Sequence, residues 1–186
     1  MATNEMWLTT ERLGLRRFGP QDLDFLVDLY SDPEVTRHLG GQKDPAQAET
    51  VLQTRILDYY DRHPSLGTWL TIERATGARV GFHLLNHIQG ESIIQVGYTL
   101  ARGSWGRGYA TEMARAVLRY GFVDLALPSI AAIANLDNTA SHNVLRKIGL
   151  VRAGERAFPH PAYAAQGPMA WFERERGDWL AAAAPE

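Results

Sequence analysis

Between Ile93 and Phe122 the 186-residue chain passes from a strand-like pattern through Ala101-Arg102-Gly103-Ser104-Trp105-Gly106-Arg107-Gly108 straight into a helical one. A strand, a glycine loop and a helix start in that order suit the binding of a phosphate or pyrophosphate. Glycines adopt backbone dihedrals closed to other residues and let the chain approach an anion, while unpaired N–H groups of the first helical turn point at it. Arg107 adds a fixed positive charge. The commonest rivals for such a loop lack their other parts. A dinucleotide fingerprint needs G-x-G-x-x-G inside a βαβ unit, whereas the strands before this loop form a meander. A Walker A loop ends in Gly-Lys-Ser/Thr, and that ending is absent.

Other groups able to move protons lie elsewhere in the chain. Asn138 and Ser141 stand three apart at the start of a later helix, a spacing that an N-cap explains with no further role. His83 and His87 alternate onto one face of a strand. They suit a general base or a water relay there, and equally a hydrated or core histidine. Glu112 lies one turn into the helix after the glycine loop, where the helix dipole alone favours a carboxylate. His160 and Tyr163 belong to Phe158-Pro159-His160-Pro161-Ala162-Tyr163, a segment suited to an acceptor rim or to a simple stiff loop.

The elements that position these residues follow from periodicity. Leu13 to Phe18 reads as a first strand, and Pro20 opens a helix with Leu23, Leu26, Val27 and Tyr30 on one stripe; Pro33 lies just beyond its end. A second helix starts at Asp44 as N-cap, with Pro45 at the first position and Gln47 completing a capping box. Its stripe is Ala48, Val51, Leu52, Ile56, Tyr59 and Tyr60, and His63-Pro64 stops it. Thr68 to Glu73, Val80 to Ile88 and Ser92 to Leu100 form an antiparallel meander, since the turns between them are too short for crossovers. Tyr109 to Phe122 has a helical apolar face, and Ser129 to Ala134 is a short strand buried on both faces. Asn138 to Ile148 is a helix that Gly149 ends as a left-handed cap. Leu150 to Ala157 and Met169 to Arg174 are the last strands, and Ala181 to Ala184 reads as a fraying terminus. The order β-α-α-β-β-β-α-β-α-β-β predicts an α/β (α+β) fold, a mixed and mostly antiparallel sheet of about six or seven strands flanked by about four helices. Residues 1–186 form one domain in this reading, with a core at about 8–175 and a tail at 176–186.

Composition bounds the function classes. Hydrophobic residues make up 45% and charged residues 22% of the chain, which suits an ordinary globule with a real core. A net charge of -2 and the lack of any Lys/Arg run supply no attraction for a polyanion, so no nucleic-acid partner is expected. The absence of cysteine excludes a disulfide framework, a thiolate zinc site and a cysteine nucleophile. Asn4, Glu5 and Glu11 stand where a signal peptide needs an apolar core, and no stretch approaches 18 apolar residues. A soluble, cytoplasmic protein with no membrane partner is expected.

The run Trp105-Gly106-Arg107-Gly108-Tyr109-Ala110-Thr111-Glu112 resembles the cofactor loop of the Gcn5-related N-acetyltransferases, the GNAT family. That loop is Gln/Arg-x-x-Gly-x-Gly/Ala, here with Trp in first place. The full Trp-Gly-x-Gly-Tyr-Ala-Thr-Glu run is similar to the branch acetylating ribosomal-protein N-termini (RimJ/RimL-like). Leu8-Thr9-Thr10-Glu11-Arg12-Leu13 with Leu15-Arg16 resembles the same branch, as do Val96-Gly97-Tyr98 and Asn138-Thr139-Ala140-Ser141 with Lys147-Ile148-Gly149-Leu150. The likeness runs from about residue 8 to about 175 with the elements in order.

The resemblance implies a GNAT-type domain with acetyl-CoA in a V-shaped splay between the strands at 93–100 and 129–135. The backbone of Tyr98, Thr99 and Leu100 would bond the pantetheine and polarise the thioester carbonyl. The amides of Gly106, Arg107, Gly108, Tyr109 and Ala110, next to Trp105, would hold the pyrophosphate, and Thr111 would add a hydroxyl. Asn138 would contact the pantetheine arm, with Ser141 near its sulfur. Many relatives read Asn-x-x-Ala-x-x-Leu-Tyr here and use that tyrosine to protonate the departing thiolate. This chain holds Leu145 in its place, which cannot donate a proton. Ser141 is then the expected catalytic acid, as in the ribosomal-protein branch.

The implied reaction is direct attack of a primary amine on the thioester, needing neither a metal nor a covalent enzyme intermediate. The acceptor is a peptide N-terminus or a small amine such as an amino acid, polyamine or antibiotic, and the mild net acidity leans toward a cationic one. A terminal α-amine, with a pKa of about 8, needs little help from a base. A homodimer is a possible assembly. The alternative is a non-catalytic acetyl-CoA sensor or assembly module, which Leu145 favours and Ser141 with the complete glycine loop opposes.

Overall fold

A computed structural model describes residues 5–183 of the chain. Short loops and alternating apolar residues build a meander, as the sequence predicts. β1 (Leu8–Thr9), β2 (Leu13–Arg17), β3 (Gly67–Glu73), β4 (Arg79–His87) and β5 (Ile94–Leu100) pair in succession, all antiparallel. β6 (Ser129–Asn135) lies parallel to β5. It also pairs with β8 (Met169–Glu175), which pairs in turn with the edge strand β7 (Val151–Arg156), both antiparallel. The sheet therefore has eight strands, ordered β1-β2-β3-β4-β5-β6-β8-β7. The one strand beyond the expected number is β1. Two residues carry no periodicity, and it forms because Leu8 and Thr9 find Leu15 and Gly14 across a tight hairpin.

Helices depart from the expected four in instructive ways. Pro20 opens a 3₁₀ turn, Pro20–Asp22, and α1 (Leu23–Ser31) follows it. Pro33, expected beyond a helix end, instead begins α2 (Pro33–Thr36), whose N-cap Asp32 accepts from the Glu34 amide at 2.9 Å. Proline at the first helical position loses no hydrogen bond, so it starts a helix as readily as it stops one. The next helical rod begins with the expected capping box: the Gln47 amide donates to Asp44 at 2.8 Å, and the Asp44 amide to Gln47 at 2.9 Å. It runs as α3 (Pro45–Thr50), a π-helical stretch at Val51–Leu57, and α4 (Asp58–Arg62). α5 (Tyr109–Arg119) continues into a π turn at Tyr120–Asp124, and α6 (Thr139–Lys147) ends at Gly149 with φ +95°. The expected tail forms α7 (Arg176–Ala183). Alanines favour helix, and docking supplies the rest: Trp179 packs on Phe122 at 5.3 Å between ring centroids, and Arg176 Nε donates to the Phe122 carbonyl at 2.7 Å. Ala181 to Ala183 are therefore helical; Ala184 lies outside the described residues.

The core packs α5 on the sheet and extends through α1 and the helical rod, where Leu26, Leu52 and Ile56 are buried. Tyr109, Met113, Ala114, Val117 and Leu118 form the buried stripe of α5, against Leu85, Val96 and Ile130 among others. Burial of each large side chain stabilises the fold by about 1.5–3 kcal/mol. One ion pair is buried with them. Arg16 bonds both carboxylate oxygens of Asp22 at 2.7 Å, and the Gly19 amide donates to Asp22 at 2.9 Å. Burial pushes the Asp22 carboxyl up, but these hydrogen bonds outweigh it and hold the group below the usual carboxylate range. A smaller cluster of Ile88, Phe158, Tyr163 and Met169 fastens the proline segment to the end of β4.

Parallel strands β5 and β6 meet at one pair, Gln95 opposite Ala131. Beyond it they part, and the flank of β5 that faces β6 loses its ladder. That parting positions the site.

Candidate active site

Where β5 and β6 separate, a cleft of about 850 Å³ opens, lined by Tyr98 and Thr99 from β5 and by Asn138, Ser141 and Leu145 from the α6 side. Asn138 caps α6, accepting the Ser141 amide at 3.0 Å, so the capping reading of this pair holds in atoms. It leaves the Ser141 hydroxyl free for other work. Ser141 Oγ lies 3.1 Å from the Tyr98 hydroxyl, which also donates to the Ser141 carbonyl at 3.2 Å. Burial raises the pKa of the Tyr98 phenol, so both hydroxyls carry their protons at neutral pH. Leu145, 1% exposed, packs beside them with no polar atom to offer.

The glycine loop continues β5 past the cleft, and none of its residues lines the cleft wall. Gly106 (φ +72°) and Gly108 (φ +78°) adopt the left-handed conformation that the loop requires, and Gly108 is the N-cap of α5. A side chain built at Gly106 would meet nothing within 4 Å, so the outer face of the turn is open. Tyr109 is buried, and Ala110 and Thr111 are half-buried in the first turn of α5. Trp105 pins the loop: its indole N–H donates to the Leu100 carbonyl at 2.8 Å. That carbonyl is therefore engaged inside the protein.

Arg107 is not the free charge that the sequence suggests. Its guanidinium pairs with Glu73 at 2.6 Å and stacks on the Tyr109 ring at 4.5 Å, while the Tyr109 hydroxyl donates to the same carboxylate. Glu112 is structural, as the dipole reading has it. It accepts from Thr10 Oγ1 at 2.6 Å, from the Arg12 amide at 3.0 Å and from Arg12 Nε at 2.7 Å, and Arg12 Nη1 reaches the Arg107 carbonyl at 2.9 Å. Burial raises its pKa, but those hydrogen bonds prevail and hold the carboxyl below its usual range.

The two histidines of β4 part company. His83 is 0% exposed, with Nδ1 2.8 Å from Thr71 Oγ1, and burial pushes its pKa down to about 3. It lines no part of the cleft and stays neutral. His87 does line it, held by the Tyr59 hydroxyl 2.7 Å from Nδ1, with the His63 ring 4.8 Å away. Burial, then the neighbouring His63, lower the pKa of His87.

The buried state of His83 has a measurable consequence. An unfolded histidine titrates near 6.5, so as pH falls the unfolded chain takes up the proton first. The stability that neutral His83 contributes is complete above pH 6.5 and is lost as pH falls toward 3, at up to about 1.4 kcal/mol per pH unit. Thermal midpoints measured from pH 7.5 to 4.5 should drop, and His83→Gln should flatten that drop. Equal slopes in both proteins would remove His83 as its source.

In the proline segment, His160 Nδ1 accepts the Ala162 amide at 3.2 Å and caps a 3₁₀ turn, a structural role. Tyr163 does reach the cleft, and its hydroxyl accepts the Gln89 amide at 3.2 Å. Sequence reasoning missed part of the opposite wall: Arg55, Arg62 and His63 project from the helical rod beside Val51 and Tyr59 of its apolar stripe, with Lys43 ahead of it. At i+4, i+11 and i+12 from Val51 they flank that stripe. Arg and His on a helix surface read as solvated, so they passed unnoticed.

Residues 12–151 match the family model described as acetyltransferase (GNAT) domain. The chain is 33% identical over 153 residues to the uncharacterized N-acetyltransferase YoaA of Bacillus subtilis (strain 168), covering 79% of this chain and 84% of that protein. It is 32% identical over 146 residues to the uncharacterized protein YkkB of the same organism, covering 77% and 84%. A crystal structure of an acetyltransferase from Agrobacterium tumefaciens str. C58 superposes with a TM-score of 0.77 at 25% identity, covering 90% of this chain and 93% of that one.

Proposed function

This chain belongs to the GNAT acetyltransferase family, and from that premise we propose that the Ser141–Tyr98 hydroxyl pair serves acetyl transfer in the β5–β6 cleft. The activity is transfer of the acetyl group of acetyl-CoA to a primary amine. Acetyl-CoA brings an acyl group activated as a thioester and a thiolate able to leave.

The residues present fit that donor. Past Gln95 the backbone of Tyr98 has no ladder on its β6 side, which leaves a donor for the pantetheine and for the developing oxyanion, whereas Thr99, opposite Phe82, turns its amide to β4. The Leu100 carbonyl is taken by Trp105, so any contribution of Leu100 comes from the rest of its backbone. The amides of Gly106, Arg107, Gly108, Tyr109 and Ala110 at the start of α5 hold the pyrophosphate, with Thr111 beside them. Arg107 stays with Glu73, so backbone and helix terminus carry the anion. Asn138 borders the pantetheine arm.

The amine nitrogen bonds the acyl carbon, the carbon–sulfur bond breaks, and Ser141 gives its proton to the departing sulfur. Tyr98 holds the Ser141 hydroxyl in place and stands behind it as a second proton source. The proton released by the amine returns through water, with His87, one of three histidines that line the cleft, as the group that passes it on. Holding two reactants together supplies much of the acceleration.

The observation that carries this reading is the hydroxyl pair at the splay, which supplies what Leu145 cannot. Ser141→Ala should lower kcat roughly 10²-fold while leaving CoA affinity nearly intact, and Tyr98→Phe should have a smaller effect in the same direction. Turnover unchanged in Ser141→Ala would take the residue out of the mechanism.

Within the family we read the donor side of the chain as RimJ/RimL-like, a likeness that leaves the acceptor to be argued from the cleft itself. The Trp-Gly-x-Gly-Tyr-Ala-Thr-Glu run supports this, as does 24% identity to YdaF of Bacillus subtilis (strain 168), whose name assigns it provisionally to ribosomal N-acetylation. The reading carries a cytoplasmic location with it, since the donor is an intracellular metabolite.

A further inference from the structure

The cleft continues from Ser141 and Thr99 into a half whose chemistry is basic. Lys43, Arg55, Arg62, His38, His63 and His87 line it, against one carboxylate, Glu91, which faces Arg156 at 3.5 Å. His38 lies 3.6 Å from Asp137. Lys43 Nζ reaches only the Leu39 and Gly41 carbonyls and the face of Tyr30, 5.0 Å from its centroid. Arg62 Nε donates to the Asp58 carbonyl at 3.2 Å. Among the described residues, no carboxylate lies in ion-pair range of Lys43, Arg55 or Arg62. Arg55 is an exposed residue, yet the walls around its guanidinium desolvate it enough to hold it below the usual arginine range. Burial, then the charge of Arg55, lower Lys43 as well.

Such a group of cations is unfavourable until an anion joins it, and the fold maintains it all the same. The π-helical stretch Val51–Leu57 presents Arg55 to the cleft; π turns inside α-helices are frequent at functional sites.

This is not the phosphate end of the donor site. Arg55 shares its part of the cleft lining with Tyr30 and Tyr163, and Tyr163 is bonded to Gln89, ahead of β5. The glycine loop lies past the other end of β5. At about 3.3 Å per residue, seven residues of strand separate the two ends by roughly 20 Å.

We propose that the acceptor is a small amine that also carries a carboxylate, an amino-acid-like molecule, whose carboxylate is bound by Arg55 with Lys43 and Arg62. The inference rests on the acetyl-transfer reading and names its substrate class. It reverses the lean toward a cationic acceptor that net charge suggests: the sum over the chain is negative, but the cleft wall is positive. A polyamine or an aminoglycoside would meet like charge there.

The test is CoA-thiol release with free amino acids, their matched carboxamides and spermidine, for the wild type, Arg55→Gln and Arg55→Lys. The wild type should prefer each carboxylate over its carboxamide in kcat/KM. Arg55→Gln should erase that preference by raising KM for the carboxylate about 10- to 100-fold, and Arg55→Lys should restore part of it. Equal or better use of carboxamides or spermidine by the wild type overturns the proposal. A further arm is a C-terminally amidated peptide with Asp at its second position. Preference for it over every free amino acid overturns the small-molecule source. If no amine releases thiol, the acetyl-transfer reading fails. Calorimetry of the CoA complex with the amino acids then decides the carboxylate question. Binding lost in Arg55→Gln upholds it, and no binding to the wild type overturns it.

Discussion

Gly108→Trp is expected to abolish acetyl-CoA binding, raising Kd by at least about 100-fold, which is about 2.7 kcal/mol. Two effects act together. Gly108 has φ +78°, and a side chain in the left-handed region costs roughly 1–2 kcal/mol. The Cβ direction points toward Arg12, with Nη2 at 3.5 Å, so an indole there either displaces that arginine or turns into the space before α5 where the amides converge. Strain and obstruction can be told apart. Gly108→Ala bears the strain without the bulk and should retain most of the affinity. Isothermal calorimetry with CoA, beside thermal midpoints to confirm folding, reads both variants. Wild-type affinity in Gly108→Trp would refute the pyrophosphate position proposed for this loop.

The second large effect lies far from the cleft. Asp22→Ala should destabilise the fold by about 3–5 kcal/mol, because it leaves Arg16 charged and buried with only the Arg17 carbonyl to bond and deprives the Gly19 amide of its acceptor. Arg16 and Asp22 keep side-chain exposures of only 10% and 2%, so water cannot make good the loss. Arg79 lies 3.8 Å from Asp22 but is committed to Asp24 through two bonds of 2.7 Å. For a chain of this size the change amounts to a drop of roughly 10 °C in the unfolding midpoint. Removing both partners, as in Arg16→Met with Asp22→Leu, should recover most of the stability, since the unpaired charge and not the missing attraction sets the cost. Urea unfolding of the single and double variants checks both statements. A single variant that loses less than about 1 kcal/mol would show the pair to be solvated in practice.

Local patterns carried much of this architecture. The meander was legible because its strands alternate and its turns are short, and the capping box at Asp44 was legible because capping is decided within four residues. The left-handed glycines and the cap role of Asn138 were equally local. What failed to show depended on partners distant in sequence. Arg107 looked like a phosphate ligand until strand β3 delivered Glu73 to it. The meeting of Tyr98 with Ser141 spans 43 residues and requires the parting of β5 and β6, which no pattern in either segment announces. His83 and His87 share an alternation but differ in cover: core encloses one, and the other lies in the cleft with Tyr59. Arg55 was hidden because an arginine on a helix surface reads as solvated, and the π-helical stretch that carries it also shifts the phase on which a 3.6-residue stripe is counted. The helix at Arg176 was invisible because its docking surface, Phe122, lies more than 50 residues away.

Glu112 and Arg12 join positions 100 residues apart, and Arg12 also holds the carbonyl of Arg107. The shape of the glycine loop therefore belongs to a hairpin that leaves the ribosome long before the loop does. A nascent chain carries Arg12 exposed through the synthesis of α1 to β5, and only when Glu112 has emerged can the two close on each other. Ser141 follows some thirty residues later still. The loop that holds the donor and the hydroxyl that acts on it are thus assembled from segments that emerge at different times, and the cleft between them is complete only once β6 has closed on β5.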